Sequence, residues 1–301
     1  MPKIKVNLFD SLAPPNYDEY WKTHNFSSEF EPTKIEWIKK GSGLGLPEFD
    51  GVTVFTDKDI HSPWVDKVKS KLKVAWILEC REIHPFAYTN IVLMENKFDY
   101  IFTFDDQLLK CGPKYIKTTV GTSRVSNEDS GIHEKTKLLS LIASKKDWTR
   151  GHKLRHIVAE SIKNRYEVDL WGTAYKPFGT TGLSAAAIRE GKSEPLKDYL
   201  FSVTIMNSKQ DNYFTETLVD VFRHATIPIF WGCNNVGEYF DEKGILSFDT
   251  GPQLMGILDR LSLGVYNDRL DAVKNNFEIA KKHMSMDDTF ASNLIKVLDN
   301  K

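Results

Sequence analysis

The sequence predicts an α/β protein built from two units, each a mostly parallel sheet doubly wound with helices. Short runs rich in Val, Ile, Phe and Tyr alternate with helix-length segments along the chain, which is typical of βαβ units. A polar stretch without apolar periodicity, Ser123–Glu134, divides this alternation into two series. The length of 301 residues also corresponds to about two domains of roughly 150 residues each.

The first series contains five predicted strands, expected at Ile4–Phe9, Val52–Phe55, Val74–Leu78, Tyr100–Phe104 and Tyr115–Thr118. Between the first two strands, Thr33–Lys40 carries apolar Ile35, Trp37 and Ile38 and is predicted to be a helix. Strand–helix alternation of this kind predicts strands that run parallel.

The second series contains five more strands, at Leu138–Ile142, Val168–Trp171, Phe201–Ile205, Ile227–Trp231 and Ile245–Phe248. Helices are predicted at His152–Ile162 and Glu216–His224, and helical spacing dominates from Gln253 onward. We therefore expect an N-terminal α/β domain over residues 1–125 and a second over residues 126–270. Residues 271–301 are expected to form helices that pack across both.

Composition excludes several classes of protein. Lys and Arg total 40 against 41 Asp and Glu, a net charge of −1, which argues against a nucleic-acid partner. Cys80, Cys111 and Cys233 are scattered without CxxC spacing, as is typical of a reducing compartment. No stretch approaches the ~18 apolar residues of a membrane-spanning segment. We expect a cytoplasmic protein.

Ligands of doubly wound folds bind outside the carboxyl ends of the strands, so residues that follow strands are the candidates. Basic side chains surround the start of the helix that follows Leu138–Ile142, namely Lys145, Lys146, Arg150, Lys153 and Arg155. They are either a solvated helix face or an anion site, because free N–H groups and the helix dipole favour phosphate there. Arg150 stands at the junction, where a guanidinium can bind a diphosphate bidentately.

Polar residues also cluster after Phe201–Ile205. They are Asn207, Ser208, Tyr213, Thr215 and Glu216. Thr215 before Glu216 is a good helix start, so this segment is either a capped helix or a nucleotide-binding strand–loop–helix. The residues alone do not decide between the two. A charged loop of Asp57, Asp59 and His61 follows another strand, and we interpret it as a loop rather than a metal site.

This polar segment resembles the donor-binding signature of the α-1,3/4-fucosyltransferases, glycosyltransferase family 10. Asn207-Ser208, then Tyr213, then Thr215-Glu216 fall at the family spacing, and the strand ATIPIFWG closes the signature. The resemblance covers the second domain well and the first loosely. It implies that these five residues contact the donor and that Arg150 resembles the phosphate-binding arginine of the family.

Two positions depart from the family pattern. Met206 stands where the family usually has Glu, and Thr217 stands where it has the Lys that contacts the donor phosphate. The loss of a cation beside a diphosphate weakens donor binding unless Arg150 or Lys209 compensates.

In the first domain, KVAWILE followed by FDYIFTFDD is similar to a family pattern of strand–Glu, then FDY–strand–FD. That similarity equates Glu79 with the carboxylate regarded as the general base. Glu82 is a nearby competitor, and we favour Glu79 because it directly ends the predicted strand.

The resemblance implies a GT-B fold, two Rossmann-like domains facing across a cleft. It implies an inverting glycosyltransferase that moves fucose from GDP-fucose to a sugar hydroxyl of a glycan acceptor. The second domain would bind the nucleotide-sugar and the first the acceptor. No cofactor is required in this scheme, and Mn²⁺ is at most stimulatory. The alternatives are another donor, GDP-mannose or a UDP-sugar, or a non-catalytic nucleotide- or carbohydrate-binding relative.

Overall fold

The computed structural model describes residues 4–10, 35–39, 48–178 and 191–299, and the chain divides into two compact units. Residues 1–120 and 285–301 belong to the first unit, and residues 121–284 belong to the second. The chain therefore leaves the first unit after residue 120 and returns to it at residue 285.

The described ranges contain parallel strands and mostly short helices. The strands are β1 (Ile4–Phe9), β2 (Ile35–Lys39), β3 (Glu48–Thr56), β4 (Lys69–Trp76), β5 (Tyr100–Thr103), β6 (Tyr115–Lys117), β7 (Lys137–Ile142), β8 (Asp169–Trp171), β9 (Tyr199–Ile205), β10 (Ile227–Trp231) and β11 (Leu246–Ser247). The helices are α1 (Trp64–Lys67), α2 (Pro85–Met94), α3 (Asp106–Leu109), α4 (Arg150–Ile162), α5 (Glu216–Phe222), α6 (Gly251–Leu258), α7 (Leu263–Asn267), α8 (Leu270–Ala280) and α9 (Met286–Asp299). None of these helices is long and apolar enough to cross a membrane.

The predicted strands are confirmed, with some ends shifted by several residues, but the helix predicted at Thr33–Lys40 is wrong where the structure describes it. Ile35–Lys39 is strand β2, which pairs in parallel with β1 from Ile4 opposite Ile35 to Leu8 opposite Lys39. The segment IEWIK is too short for helical periodicity to be distinguished from alternation. Its β-branched and aromatic residues also favour a strand once a partner strand is available.

The first unit contains a six-stranded parallel sheet in the order β2-β1-β3-β4-β5-β6. From β1 the chain moves to β2 on one side and then to β3 on the other. The winding direction therefore reverses between β1 and β3, a topological switch point of the kind that binds ligands in open α/β sheets. The predicted doubly wound class is confirmed for this unit.

The last helix of the chain completes the core of the first unit. Phe290 and Leu294 of α9 are completely buried with Val74 and Trp76 of β4. The Phe290 ring centroid lies 4.5 Å from that of Trp76 and 4.9 Å from that of Phe102. Phe290 is far from Trp76 and Phe102 in sequence, yet the three rings form one cluster. Helix α9 is therefore part of this unit's core.

The second unit contains a five-stranded parallel sheet in the order β11-β10-β9-β7-β8. Here the winding reverses between β7 and β9, because β8 lies on one side of β7 and β9 lies on the other. The apolar face of α4, with Val158, Ala159 and Ile162, packs in the core with these strands. The second switch point therefore lies at the carboxyl ends of β7 and β9.

We expect the substitution Phe290→Ala to lower the free energy of unfolding of the first unit by about 3–5 kcal/mol, the usual cost of emptying a buried phenylalanine site. Urea unfolding measures this change. Ser292→Ala, at an exposed position of the same helix, is the matched control and should change stability by less than about 0.5 kcal/mol. Equal stability of the two variants would show that α9 does not complete this core.

Candidate active site

At the switch point of the second unit, the loop after β7 ends in a well-formed helix start. Thr149 is the N-cap of α4, and its hydroxyl accepts a hydrogen bond from the His152 amide at 3.2 Å. The His152 ring nitrogen in turn lies 3.4 Å from the Thr149 amide. Arg150 is the first residue of the helix, and its side chain is exposed. The helix therefore begins at a fixed position with a guanidinium at its N-terminus.

A glycine allows this helix start to lie against the end of β9. The Gly151 amide donates to the Asn207 carbonyl at 3.0 Å. A Cβ on Gly151 would lie 1.7 Å from the Met206 carbonyl oxygen and 2.7 Å from that of Asn207. Any other residue would push the helix away from the strand. Gly151 thus fixes the distance between Arg150 and the predicted donor residues.

Arg155, one turn further along α4, ties the helix to the same loop. Its Nε and Nη2 atoms donate to the Ile205 carbonyl at 2.8 and 2.5 Å, and Nη2 also donates to Asn207 Oδ1 at 2.9 Å. Burial lowers the pKa of Arg155 to about 10, while the charge of Glu216 acts in the opposite direction. A guanidinium only donates hydrogen bonds, so Arg155 binds the side-chain oxygen of Asn207. The NH₂ group of Asn207 therefore points away from Arg155.

The loop from β9 to α5 is held by buried polar and aromatic groups. Ser208 is buried and Tyr213 is completely buried. Asn212 has a φ of 60°, and its side-chain oxygen accepts from Asn235 at 2.9 Å and from the Tyr239 hydroxyl at 2.6 Å. Asparagine tolerates this left-handed conformation better than most residues. The buried residues shape the loop, and the completely buried Tyr213 is part of this packing.

Met206, one of the two departures from the family pattern, has a packing role. Its side chain is buried, and a Cβ on Gly232 would lie 2.4 Å from the Met206 Cγ atom. The methionine therefore fills the space beside the turn that follows β10. An apolar side chain here supports the carboxyl ends of β9 and β10 and offers no charge to a ligand.

Charged side chains surround the first turn of α5. The Thr215 hydroxyl accepts from the Thr217 amide at 3.4 Å, and Arg124 Nη2 lies 3.6 Å from Glu216 Oε1. Burial by itself would raise the pKa of Glu216, but Arg124 and Lys192 lower it below its ordinary value. Glu216 is therefore an ionised hydrogen-bond acceptor near neutral pH.

One turn further along α5, a second carboxylate is fully enclosed. Asp220 accepts from the Ser123 hydroxyl and the Arg124 amide, both at 2.8 Å, and Lys192 Nζ lies 3.7 Å from its other oxygen. Burial raises the pKa of Asp220 despite the lysine. This carboxylate holds the segment predicted as a linker against α5, and so it places Arg124 beside Glu216.

In the first unit, Glu79 follows β4 by three residues and is half-buried. Its amide donates to Asp57 Oδ1 at 3.2 Å, and its carbonyl accepts from the Tyr88 hydroxyl at 2.5 Å. Two residues on, Arg81 forms a two-pronged contact with Asp105 at 2.8 and 2.6 Å. The backbone N–H and C=O groups of Glu79 are therefore both hydrogen-bonded to side chains of neighbouring segments.

The contacts bring the predicted residues of the second unit into one region, where the start of α4, the end of β9 and the start of α5 meet. Arg150, Asn207, Ser208, Tyr213, Thr215 and Glu216 all lie on these segments. Four further charged residues belong to the region, and the sequence did not identify their contacts. They are Arg124, Arg155, Lys192 and Asp220, whose partners are up to about a hundred residues away in sequence.

Metal ligands do not cluster in the part of the chain that the structure describes, since no group of three or more His, Cys, Asp or Glu side chains there is arranged to hold an ion. The acidic loop Asp57–His61 is a short 3₁₀ turn in which Asp57 and Ile60 are buried.

Parts of the chain are similar to known proteins. Residues 132–262 match glycosyltransferase family 10 (fucosyltransferase), C-terminal domain. A 58-residue segment is 33% identical to an alpha-(1,3)-fucosyltransferase FucT of Helicobacter pylori, covering 19% of this chain and 12% of that relative. The matched segment is thus only a small part of the relative's length.

Two crystal structures share the fold. An alpha1,3-fucosyltransferase with GDP has a TM-score of 0.60 at 15% identity, over 96% of this chain and 88% of that one. An alpha1,3-fucosyltransferase with GDP-fucose has a TM-score of 0.51 at 14% identity, over 96% and 89%. The two parallel α/β sheets are therefore of the GT-B type, as predicted.

We expect Gly151→Ala to lower the free energy of unfolding by about 1–3 kcal/mol or more, because an added methyl group in a packed site forces the backbone to move. Thermal or urea unfolding checks this. Lys153→Ala, at an exposed position two residues along the same helix, should leave stability within about 0.5 kcal/mol. An unchanged Gly151→Ala variant would contradict the close approach of α4 to β9.

Proposed function

Because residues 132–262 match the C-terminal domain of glycosyltransferase family 10, we propose that the chain is an inverting fucosyltransferase that moves fucose from GDP-fucose to a sugar hydroxyl. The observation that carries this proposal is the switch point of the second unit. There the N-terminus of α4, with Arg150, is held against the end of β9 by Gly151 and Arg155. The cytoplasmic location expected from three unpaired cysteines stays part of the proposal.

The diphosphate of the donor is assigned to the start of α4. The dipole of the helix favours an anion at this end, and the exposed Arg150 guanidinium adds a bidentate donor. The Gly151 and His152 amides are already bonded to the Asn207 carbonyl and the Thr149 hydroxyl, so the guanidinium and the dipole carry the assignment. The helix has 13 residues, and a complete capping box defines its first turn. The position of Thr217 carries no cation, so Arg150 is the first cation assigned to the phosphates.

Donor hydroxyls are assigned to the loop and first turn that follow β9. Glu216 is ionised and accepts hydrogen bonds, because Arg124 and Lys192 keep its pKa low. Asn207 offers its NH₂ group, because Arg155 holds its oxygen. Thr215, Ser208 and the segment at Tyr213 complete the lining that the family resemblance implies.

The proposed reaction is a single displacement. The acceptor oxygen attacks the anomeric carbon of fucose, the bond from that carbon to the diphosphate oxygen breaks, and the configuration inverts. Glu79 takes the acceptor proton as the general base. Negative charge develops on the departing GDP, where the Arg150 guanidinium and the N-terminal dipole of α4 stabilise it. No step is assigned to a metal ion.

A second candidate is a relative with another nucleotide-sugar donor, GDP-mannose or a UDP-sugar, or one that binds without turnover. Met206 and Thr217 favour it, since both positions lack the charge found in the family. The nucleotide preference of the protein distinguishes donors, and transfer to any acceptor excludes a binding protein.

We expect Arg150→Ala to raise the Kd for GDP about 10- to 100-fold, since a hydrogen bond to a charged group contributes roughly 1.5–3 kcal/mol. Isothermal titration calorimetry with GDP and UDP measures this. Lys163→Ala, at the far end of the same helix, should bind GDP as the unmodified protein does. Unchanged affinity in Arg150→Ala would refute the phosphate assignment, and tighter binding of UDP than of GDP would favour the second candidate.

We expect Glu79→Gln to reduce fucosyl transfer by at least about 100-fold, the usual contribution of a general base, with the Kd for GDP within about twofold of the unmodified protein. Transfer from GDP-fucose to a panel of sugar acceptors measures the rate. Glu82→Gln is the matched control and should retain transfer. Activity retained in Glu79→Gln but lost in Glu82→Gln would move the base to Glu82.

A further inference from the structure

A buried aspartate lies beside the predicted base, on the neighbouring strand. Asp57 follows β3 directly, and β3 pairs with β4 up to Thr56 opposite Trp76. The Asp57 side chain is almost completely buried. Its Oδ1 atom accepts from the Leu78 amide at 2.9 Å and from the Glu79 amide at 3.2 Å. One carboxyl oxygen therefore holds two consecutive amides of the segment that carries Glu79.

The backbone at Asp57 is held in an uncommon conformation to make these contacts. Its φ is 36°, in the left-handed region that non-glycine residues seldom adopt. Strained residues of this kind persist where surrounding contacts impose them, and they cluster at functional sites. Asp57 begins a 3₁₀ turn but bonds to the segment after β4 rather than to that turn. Asp57 thus combines an uncommon backbone conformation with a carboxyl group bonded to the segment that carries Glu79.

The carbonyl group of Glu79 is held as well. The Tyr88 hydroxyl on α2 donates to the Glu79 carbonyl at 2.5 Å. The guanidinium of Arg81 lies 4.5 Å from the centre of the Tyr88 ring and is paired with Asp105, the N-cap of α3. These contacts fix the path of the backbone on both sides of Glu79, and so they limit the directions in which its carboxylate can point.

We propose that Asp57 is a positioning residue for the transfer reaction, which fixes the Leu78 and Glu79 amides and thereby sets the direction of the Glu79 carboxylate. This inference rests on the proposed function, in which Glu79 takes the acceptor proton. The requirement is geometric, because a general base works only within hydrogen-bond reach of the proton that it removes. A fixed carboxylate avoids the loss of rate that misplacement of a reacting group causes.

The test compares two substitutions at this position. Glycine adopts a φ of 36° without steric cost, so Asp57→Gly removes the acceptor oxygen with little added strain. Asparagine keeps an oxygen where Asp57 Oδ1 lies. Burial raises the pKa of Asp57 to about 7, so a neutral amide is a close substitute for the partly protonated carboxyl group.

We expect Asp57→Gly to lower kcat for transfer at least tenfold, with the KM for the acceptor and the Kd for GDP within about twofold of the unmodified protein. Asp57→Asn should restore kcat to within about threefold. Hydrogen exchange of the peptide over residues 77–81 should be faster in Asp57→Gly and close to normal in Asp57→Asn. Exchange reports on the two amides whether or not a variant is active.

Val54→Ala is the control for a merely structural role, because Val54 is a completely buried core residue of the same strand. It should lower the unfolding midpoint yet keep kcat at temperatures well below that midpoint. An unchanged kcat or unchanged exchange in Asp57→Gly, or an equal loss of kcat in Val54→Ala, would overturn the proposal. If Glu79→Gln is fully active, the proposed base fails instead, and the exchange result still decides whether Asp57 holds the amides.

Discussion

The active region of the second unit depends on one close approach, between the backbone of Gly151 and the carbonyl groups at the end of β9. A parallel sheet whose winding reverses leaves a gap beyond its carboxyl edge, and the segments that border the gap must be placed independently. Here the Gly151 amide binds the Asn207 carbonyl at 3.0 Å, and no Cβ intervenes. The Arg150 guanidinium at the helix start and the Asn207 amide group at the strand end therefore lie on segments that contact each other directly. Their separation is set by main-chain contacts rather than by flexible side chains.

The charged groups of this region are arranged around this main-chain contact. Arg155 can be partly buried because three polar contacts to Ile205 and Asn207 replace water around its guanidinium, and the burial of a charge costs much less when it is hydrogen-bonded. Around α5, Glu216 and Asp220 are matched by Arg124 and Lys192. The pKa of Glu216 lies below its ordinary value and that of Asp220 lies above it. The more accessible Glu216 therefore remains ionised, and the enclosed Asp220 accepts a hydrogen bond from the Arg124 amide.

The sequence predicted the strands well because each is a short apolar run between breakers, and it predicted the parallel class from their alternation with helices. β2 was missed because five residues cannot distinguish a period of 2 from one of 3.6, and the pairing with β1 decided its conformation. Arg150 and the residues after β9 could be named because the carboxyl-end rule depends only on chain order.

The sequence did not reveal the residues that hold the site together. Asp57 was interpreted as part of a charged loop, yet it is buried against amides that lie more than twenty positions away in sequence. Arg124 and Asp220 meet across almost a hundred positions. Such pairs follow from the tertiary fold, and a single sequence carries no signal for them beyond a polar residue just after a strand.

The return of the chain to the first unit has a consequence for biosynthesis. Trp76 and Phe102 are translated early, but the ring that packs against both belongs to Phe290, almost two hundred residues later. During translation the earlier unit keeps an incomplete core until its last helix leaves the ribosome, by which time every residue of the second unit has been made. The core of the first unit can therefore be completed only after the whole of the second unit has been translated.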